Sequence, residues 1–390
     1  MNQPVRQTHL EYYREHQITP VRYDMSDLNA HMERRCSLYT KLGLAPLAFK
    51  KAKILEVAAG TGHNSLYLAQ LMPSRLILLE PNESGVQHIK QSYLAFSRPH
   101  TSPDIIVEQL ENYSPQEKFD IVLCENWLGS SPHELSLIHK LSEMVNLQGM
   151  LVLTTVSPAG FVPNLLRRFL SIYLAPQDQS FMKRTETLIS AFGSHLDTLH
   201  SMTRNKTDWV QDNMLNPAYF GLCLSIPNLV SELGDEFAVI GSSPSFSEDW
   251  RWFKSLSGNL ALKNEHFLSE YWKKSHNFLD HRESPSVGDS EVNRKLEEAA
   301  FALLAAIAAH EDAHLQRVDV QSYTANVLHS LDDFIELVPS HFVSAYRGLN
   351  EMRELVASPL NINIDSVMNM ENFSGLFGRE TVYVSFMRGQ

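Results

Sequence analysis

Two carboxylates and a pair of glycines carry the first chemical signal in this sequence. Glu56 stands in the apolar run Lys53-Ile54-Leu55-Glu56-Val57. Ala58-Ala59-Gly60-Thr61-Gly62-His63-Asn64 follows, and then the helical pattern Ser65-Leu66-Tyr67-Leu68-Ala69. Glycines at 60 and 62 let the backbone turn sharply and lie close against a ligand, and a helix start offers unpaired N–H groups to something polar. Such a turn suits dinucleotide, phosphate and adenosine ligands alike, and the charge of Glu56 separates them. Beside the pyrophosphate of a dinucleotide it repels; beside the ammonium of a ligand that carries an amino acid it attracts. The third glycine of the dinucleotide fingerprint falls at Ser65, and no Gly-Lys-Ser/Thr ending marks a phosphate-cradling loop. The second acid, Glu80, ends the run Arg75-Leu76-Ile77-Leu78-Leu79 about 20 residues after the turn, where an acid in a doubly wound sheet accepts hydrogen bonds from both hydroxyls of a ribose.

Two further groups bear chemistry. Glu125, Asn126, Trp127 and His133 follow the apolar run Phe119 to Cys124, and ligands in open sheets bind outside the carboxyl ends of the strands. His310-Glu311-Asp312-Ala313-His314 has the spacing His-Glu-x-x-His, which on a helix puts two imidazoles on one face as zinc ligands with Glu311 as base. Asp312 adds a charge that such helices usually lack, and Glu336 is an uncompelling third ligand. The segment therefore reads as a solvated helix face after the Ala-rich buried run Ala299 to Ala309. A metal-dependent hydrolase working through His310, Glu311 and His314 stays as an alternative function.

The elements that must position these residues alternate between strand and helix from 51 to 157, which predicts parallel strands with right-handed crossovers. Strands are expected at Ala52 to Val57, Leu76 to Glu80, Asp104 to Leu110, Phe119 to Cys124 and Leu147 to Thr155, with Phe237 to Phe246 sixth and Glu380 to Met387 seventh. Residues 1–50 read as a helical lead-in, with Asp24 or Ser26 capping its second helix. Helical elaborations at 158–235 and 248–375 complete the chain. The run Arg204 to Met214 mixes cations, acids, amides and an indole, as a polar substrate pocket does; the plainer reading is an exposed helix anchored by Trp209.

With both acids in view, Glu56-Val57-Ala58-Ala59-Gly60-Thr61-Gly62 followed by Leu79-Glu80-Pro81 resembles the class I S-adenosylmethionine-dependent methyltransferases. The first motif of that family usually carries glycine where this chain has Ala58. The resemblance implies an α/β fold, a Rossmann-like seven-stranded sheet with its last strand antiparallel, formed by 51–157, 236–247 and 376–390, with large helical insertions. It implies S-adenosyl-L-methionine as cofactor, with Glu56 and Gly60 near the methionine part, Glu80 at the ribose, Gln109 and Leu110 beside the adenine, and Glu125 and Asn126 in the loop near the sulfonium methyl. Ala58, Gly62, Asn64 and Pro81 complete the expected cofactor contacts, and Tyr12, Tyr13 and Arg34 of the lead-in lie within its reach. The Asn/Asp-Pro-Pro-aromatic motif of the amino-methylating nucleic-acid enzymes is missing after the fourth strand. The expected reaction moves a methyl group to an oxygen or nitrogen of a small polar molecule, with His133, or else His63, as base for a hydroxyl acceptor. The alternative from another class is a catalytically silent binding or scaffold module.

Composition agrees with a globular enzyme. The chain has 390 residues, 43% hydrophobic, and a net charge of −12, which opposes a nucleic-acid footprint. The adjacent pairs Arg34-Arg35 and Arg167-Arg168 read as solvated helix faces or single anion contacts. Three separated cysteines, Cys36, Cys124 and Cys223, suggest neither a disulfide framework nor a zinc site and fit a reducing cytosol. No signal peptide is visible and no apolar run spans a bilayer. The expectation is a cytoplasmic protein with a small-molecule partner and no membrane or nucleic-acid partner, the 248–375 insertion offering a surface for a homodimer.

Overall fold

The computed structural model describes residues 6–96, 101–129, 132–220, 224–256 and 260–389. The chain divides into two compact units: a sheet unit of residues 8–156, 221–271 and 381–390, and a helical unit of residues 1–7, 157–220 and 272–380.

The sheet unit holds β1 (Lys53–Val57), β2 (Arg75–Leu79), β3 (Asp104–Ile106), β4 (Phe119–Cys124), β5 (Val145–Val156), β6 (Phe237–Ser243) and β7 (Thr381–Arg388), in the order β3-β2-β1-β4-β5-β7-β6. β1 to β5 pair in parallel, and β7 runs antiparallel to both β5 and β6. This is the seven-stranded sheet that the resemblance implies. The apolar runs of β1, β2 and β4 are buried almost throughout, as strands covered on both faces require. β3 is shorter than expected. It stops at Ile106, and Gln109 opens a turn whose carbonyl accepts the N–H groups of Asn112 and Tyr113, each at 3.1 Å.

Helices of this unit are α1 (His9–His16), α2 (Leu28–Lys41), α3 (Pro46–Phe49), α4 (Ser65–Gln70), α5 (Glu83–Ala95) and α6 (Pro132–Glu143). Asp27 caps α2 by accepting the N–H of Ala30 at 2.9 Å, in place of the expected Asp24 or Ser26. On one sheet face Ile54, Leu76, Leu78, Ile121, Leu123 and Val152 pack with Tyr39, Leu42, Tyr67, Leu68 and Ile89. Because side chains alternate along a strand, the residues two beyond Ile54, Leu78 and Leu123 continue on that face. They are Glu56, Glu80 and Glu125.

The helical unit begins with α7 (Pro158–Leu174), α8 (Phe181–Asp197) and α9 (Lys206–Val210). After α10 (Ile226–Leu233) in the sheet unit and α11 (Leu260–Lys274), it resumes with α12 (Ser290–Leu315), α13 (Gln321–Glu336), α14 (Val343–Ala357) and α15 (Ile364–Met368). Two expectations fail here. Arg167 and Arg168 face the interior of the unit, not solvent. Arg167 is fully buried, and its guanidinium donates to the carbonyls of Leu376 (2.8 Å), Ser374 (3.1 Å) and Phe373 (3.2 Å) while lying 3.7 Å from the ring centre of Phe377. Burial pulls its pKa down to about 9. The His-Glu-x-x-His segment is likewise no solvated face. His310 is fully buried with Nε2 2.9 Å from Tyr173 Oη, and the Glu311 carboxylate takes both Arg168 Nε (3.1 Å) and Nη2 (3.0 Å). A carboxylate held in a two-point ion pair is a structural acid, and among the described residues no group of three metal-ligating side chains forms. No helix among them is long and apolar enough to cross a membrane.

Candidate active site

The glycine turn after β1 takes the left-handed conformation three times, with φ of 58° at Ala58, 58° at Gly60 and 72° at Gly62. Glycine bears this freely; Ala58 does so at a cost of about 1–2 kcal/mol, which marks it as the residue where the family's usual glycine is missed. A second close approach fixes the turn from behind. A Cβ on Gly85 in α5 would stand 2.9 Å from the Gly60 carbonyl oxygen and 3.1 Å from Glu80 Cγ, so only glycine fits there.

Glu80 organises the turn. Its Oε2 accepts the N–H of Gly60 at 2.7 Å and its Oε1 the N–H of Asn82 at 2.9 Å. Asn82 in turn caps α5 and donates to the carbonyl of Ile18 at 3.1 Å. Burial pushes the Glu80 carboxyl up to about 7, against the two backbone N–H groups that favour its charge. Each carboxylate oxygen has a lone pair left for another donor. Pro81 lies on the same corner, its carbonyl accepting Arg14 Nη2 at 2.8 Å.

Glu56 and Glu125 are unlike each other. Glu125 is paired: Arg35 Nη2 lies 2.7 Å from both its oxygens, and Tyr39 Oη donates to it at 2.8 Å. Glu56 is 5% exposed, and its Oε2 has no hydrogen-bond partner. Burial first, and the neighbouring charge of Glu125 second, push its pKa up to about 8. A buried carboxylate oxygen without a donor costs free energy that a bound cation recovers. The corner thus leaves one Glu56 oxygen without a donor and spare lone pairs on Glu80.

The remaining expected residues divide. Asn64 precedes α4 with its side chain making no cap bond. Asn126 follows Glu125 with φ of 57°, its N–H donating to Thr154 Oγ1 at 2.7 Å and its Nδ2 lying 3.3 Å from Tyr383 Oη. Gln109 is exposed on the turn after β3, while Leu110, 2% exposed, belongs to the core. His63 accepts the Tyr23 N–H on Nδ1 at 3.3 Å, so its neutral ring carries the proton on Nε2 and has its lone pair engaged. That is poor geometry for a base. His133 lies in the first turn of α6, and its side chain is outside the described residues.

Arg35 and Tyr39 escaped the expectation from sequence, which put Arg34 within reach of the ligand and read the arginine pair as a solvated face or a single anion contact. Arg34 is exposed and Arg35 buried. The overlooked signal is the spacing His31-Arg35-Tyr39, a polar stripe at i, i+4, i+8 that runs along the buried face of α2.

Residues 28–194 match the family model described as a methyltransferase domain. No protein of curated function matches the chain. Among solved structures it is similar to TehB from Haemophilus influenzae, at 19% identity over 27% of this chain and 36% of that one, with a TM-score of 0.24. It is similar to the N-methyltransferase NodS from Bradyrhizobium japonicum in complex with S-adenosyl-L-homocysteine, at 17% identity over 38% of this chain and 74% of that one, with a TM-score of 0.30. A third is magnesium protoporphyrin IX methyltransferase from Synechocystis with bound S-adenosyl-L-homocysteine, at 16% identity over 38% of this chain and 70% of that one, with a TM-score of 0.31. The chain spans only about a third to a half of the length of the first three structures it matches, at 36%, 50% and 44%. The matched residues run from α2 through the glycine turn, Glu56 and Glu80 to β5 and beyond, and it is as a methyltransferase domain that this part of the chain is matched.

Proposed function

We propose that the chain moves the methyl group of S-adenosylmethionine to an oxygen or nitrogen of a small polar molecule. The observation that carries this reading is the unpartnered Glu56 Oε2 at the carboxyl end of β1, a few residues from the left-handed glycine turn. Bound there, the cofactor supplies an electrophilic methyl on a positively charged sulfur. Glu56 takes the ammonium of its methionine part, the one strong donor the site lacks. Glu80, already fixed by Gly60 and Asn82, accepts from the ribose hydroxyls through its remaining lone pairs. Arg35 and Tyr39 hold Glu125 in place and engage its oxygens, so that Glu56 is the acid that addresses the cation. What remains is alignment of nucleophile, carbon and sulfur, which is how positioning lowers a transfer barrier.

Calorimetric titration with S-adenosylhomocysteine tests the reading. The wild type binds, and Glu80→Ala, which removes two ribose acceptors and frees the Gly60 and Asn82 N–H groups, binds at least about 100-fold more weakly, as the loss of two hydrogen bonds to a charged group implies. No binding by the wild type sinks the proposal. Methyl incorporation from labelled S-adenosylmethionine into metabolite pools separates an enzyme from a silent binding module: a module binds the product and labels nothing.

A further inference from the structure

The helical unit contains a second polar cluster, separate from Glu56 and Glu80. Asn164 on α7 is 4% exposed, its Nδ2 donates to Glu380 Oε2, and its Oδ1 has no hydrogen-bond partner. Glu380 is tied to the start of α7 by its own carbonyl, which accepts the Ser157 N–H at 2.7 Å. Its second carboxylate oxygen accepts no hydrogen bond among the described residues. Around this pair Arg204 Nη2 meets Asp212 at 2.6 Å, and Asn216 Nδ2 donates to Asp212 at 3.2 Å. Asp212 stands in a π-helical turn, Gln211–Leu215, whose side chains are all buried, so the run from Arg204 is not the exposed helix of the plainer reading. Single π turns concentrate where a function needs them.

A buried amide oxygen without a donor is rare in native structures and costs about 1–3 kcal/mol. Here it lies beside a carboxylate with an oxygen to spare, so the cluster offers two acceptors and no matching donor. Burial pushes Glu380 up to about 7, while Arg204 and Arg167 pull it down and Asp212 pushes it up. With Glu380 ionised the two acids balance the two arginines, and the ligand that fits is an uncharged donor.

We infer that Asn164 and Glu380 bind the N–H or O–H group of an uncharged small molecule, framed by the Arg204–Asp212 ion pair. The inference concerns binding within the helical unit and does not rest on the methyl-transfer reading.

Imidazole at about pH 8, where the free base is neutral, serves as the probe, against N-methylimidazole, which has the same ring and no N–H. Tag-free full-length protein is titrated by thermal shift, since a ligand that binds only the folded state raises the melting temperature by mass action. The expected result is a concentration-dependent rise with imidazole and at least about tenfold weaker binding of N-methylimidazole. Asn164→Leu and Glu380→Gln should each weaken imidazole binding by about the same factor while S-adenosylhomocysteine binds them as it does the wild type. No shift with imidazole, an equal shift with N-methylimidazole, or unchanged imidazole binding in both variants overturns the inference. The comparison of the two probes needs no variant, so a substitution that fails to fold does not rescue it. Loss of S-adenosylhomocysteine binding in the wild type, with the imidazole pattern intact, defeats the methyl-transfer reading and leaves this site standing.

Discussion

Glu56→Gln separates what the carboxylate costs the ligand-free protein from what it gives the complex. In the folded protein burial pushes its carboxyl up from the ordinary 4.5 to about 8. The native state thus binds the proton more tightly than the unfolded chain. Wild-type stability contributed by this group is full below about pH 4.5 and falls as pH rises through the folded pKa near 8. A shift of this size corresponds to about 5 kcal/mol at most, of which about 3 kcal/mol develops between about pH 5.5 and 8.5. Glutamine has nearly the same shape and no such titration. The difference in melting temperature, variant minus wild type, should therefore grow with pH by roughly 6 °C over that window at about 2 °C per kcal/mol. Any constant cost of burying the new amide adds the same offset at every pH and leaves the slope alone. In the complex the order reverses: loss of one charged hydrogen bond to the ammonium, about 1.5–3 kcal/mol, weakens S-adenosylhomocysteine binding by roughly 10- to 150-fold. Differential scanning calorimetry across the pH range and titration at one pH read the two effects separately. A melting difference independent of pH, or unchanged affinity, would refute the assignment of Glu56 as the unpaired acid that receives the cofactor.

Two more outcomes follow from the same corner. Arg35→Met strands the buried Glu125 carboxylate and should lower stability by about 3–5 kcal/mol, and adding Glu125→Leu should recover most of it, because replacing both partners of a buried pair is far milder than removing one; denaturant unfolding measures both. Gly85→Ala places a methyl 2.9 Å from the Gly60 carbonyl oxygen and should weaken S-adenosylhomocysteine binding by at least about tenfold; wild-type affinity would show that the turn yields without loss.

The sheet was legible because its strands are apolar runs ended by acids and glycines, and the left-handed turn at Gly60 and Gly62 follows from backbone freedom. Period two even places Glu56, Glu80 and Glu125 on one face, since each follows an apolar core residue by two positions. What escaped was pairing at long range. Nothing local says that Arg35 meets Glu125, ninety residues on, or that Arg168 meets Glu311, and both arginines sit in pairs that resemble solvated faces. The His-Glu-x-x-His pattern misled in the opposite sense: its burial depends on Tyr173 and Arg168 of another helix, which no spacing within α12 reveals. Gln109 and Leu110 were placed on a strand that ends at Ile106, because a short apolar run does not announce where its ladder stops.

The position of β7 bears on how the chain is made. It lies between β5 and β6 and is hydrogen-bonded to both, yet it is the last strand to be synthesised. Until residue 381 leaves the ribosome, β5 and β6 each present an open edge to the gap that β7 will fill, and open edges invite pairing with other chains. Residues 157–220 and 272–380 of the helical unit are therefore synthesised while the sheet is still two unjoined parts. Closure then depends on contacts between segments very distant in sequence, the kind that form slowly. A nascent or truncated chain that stops short of β7 lacks one strand in a place where the loss splits the sheet rather than trimming its border.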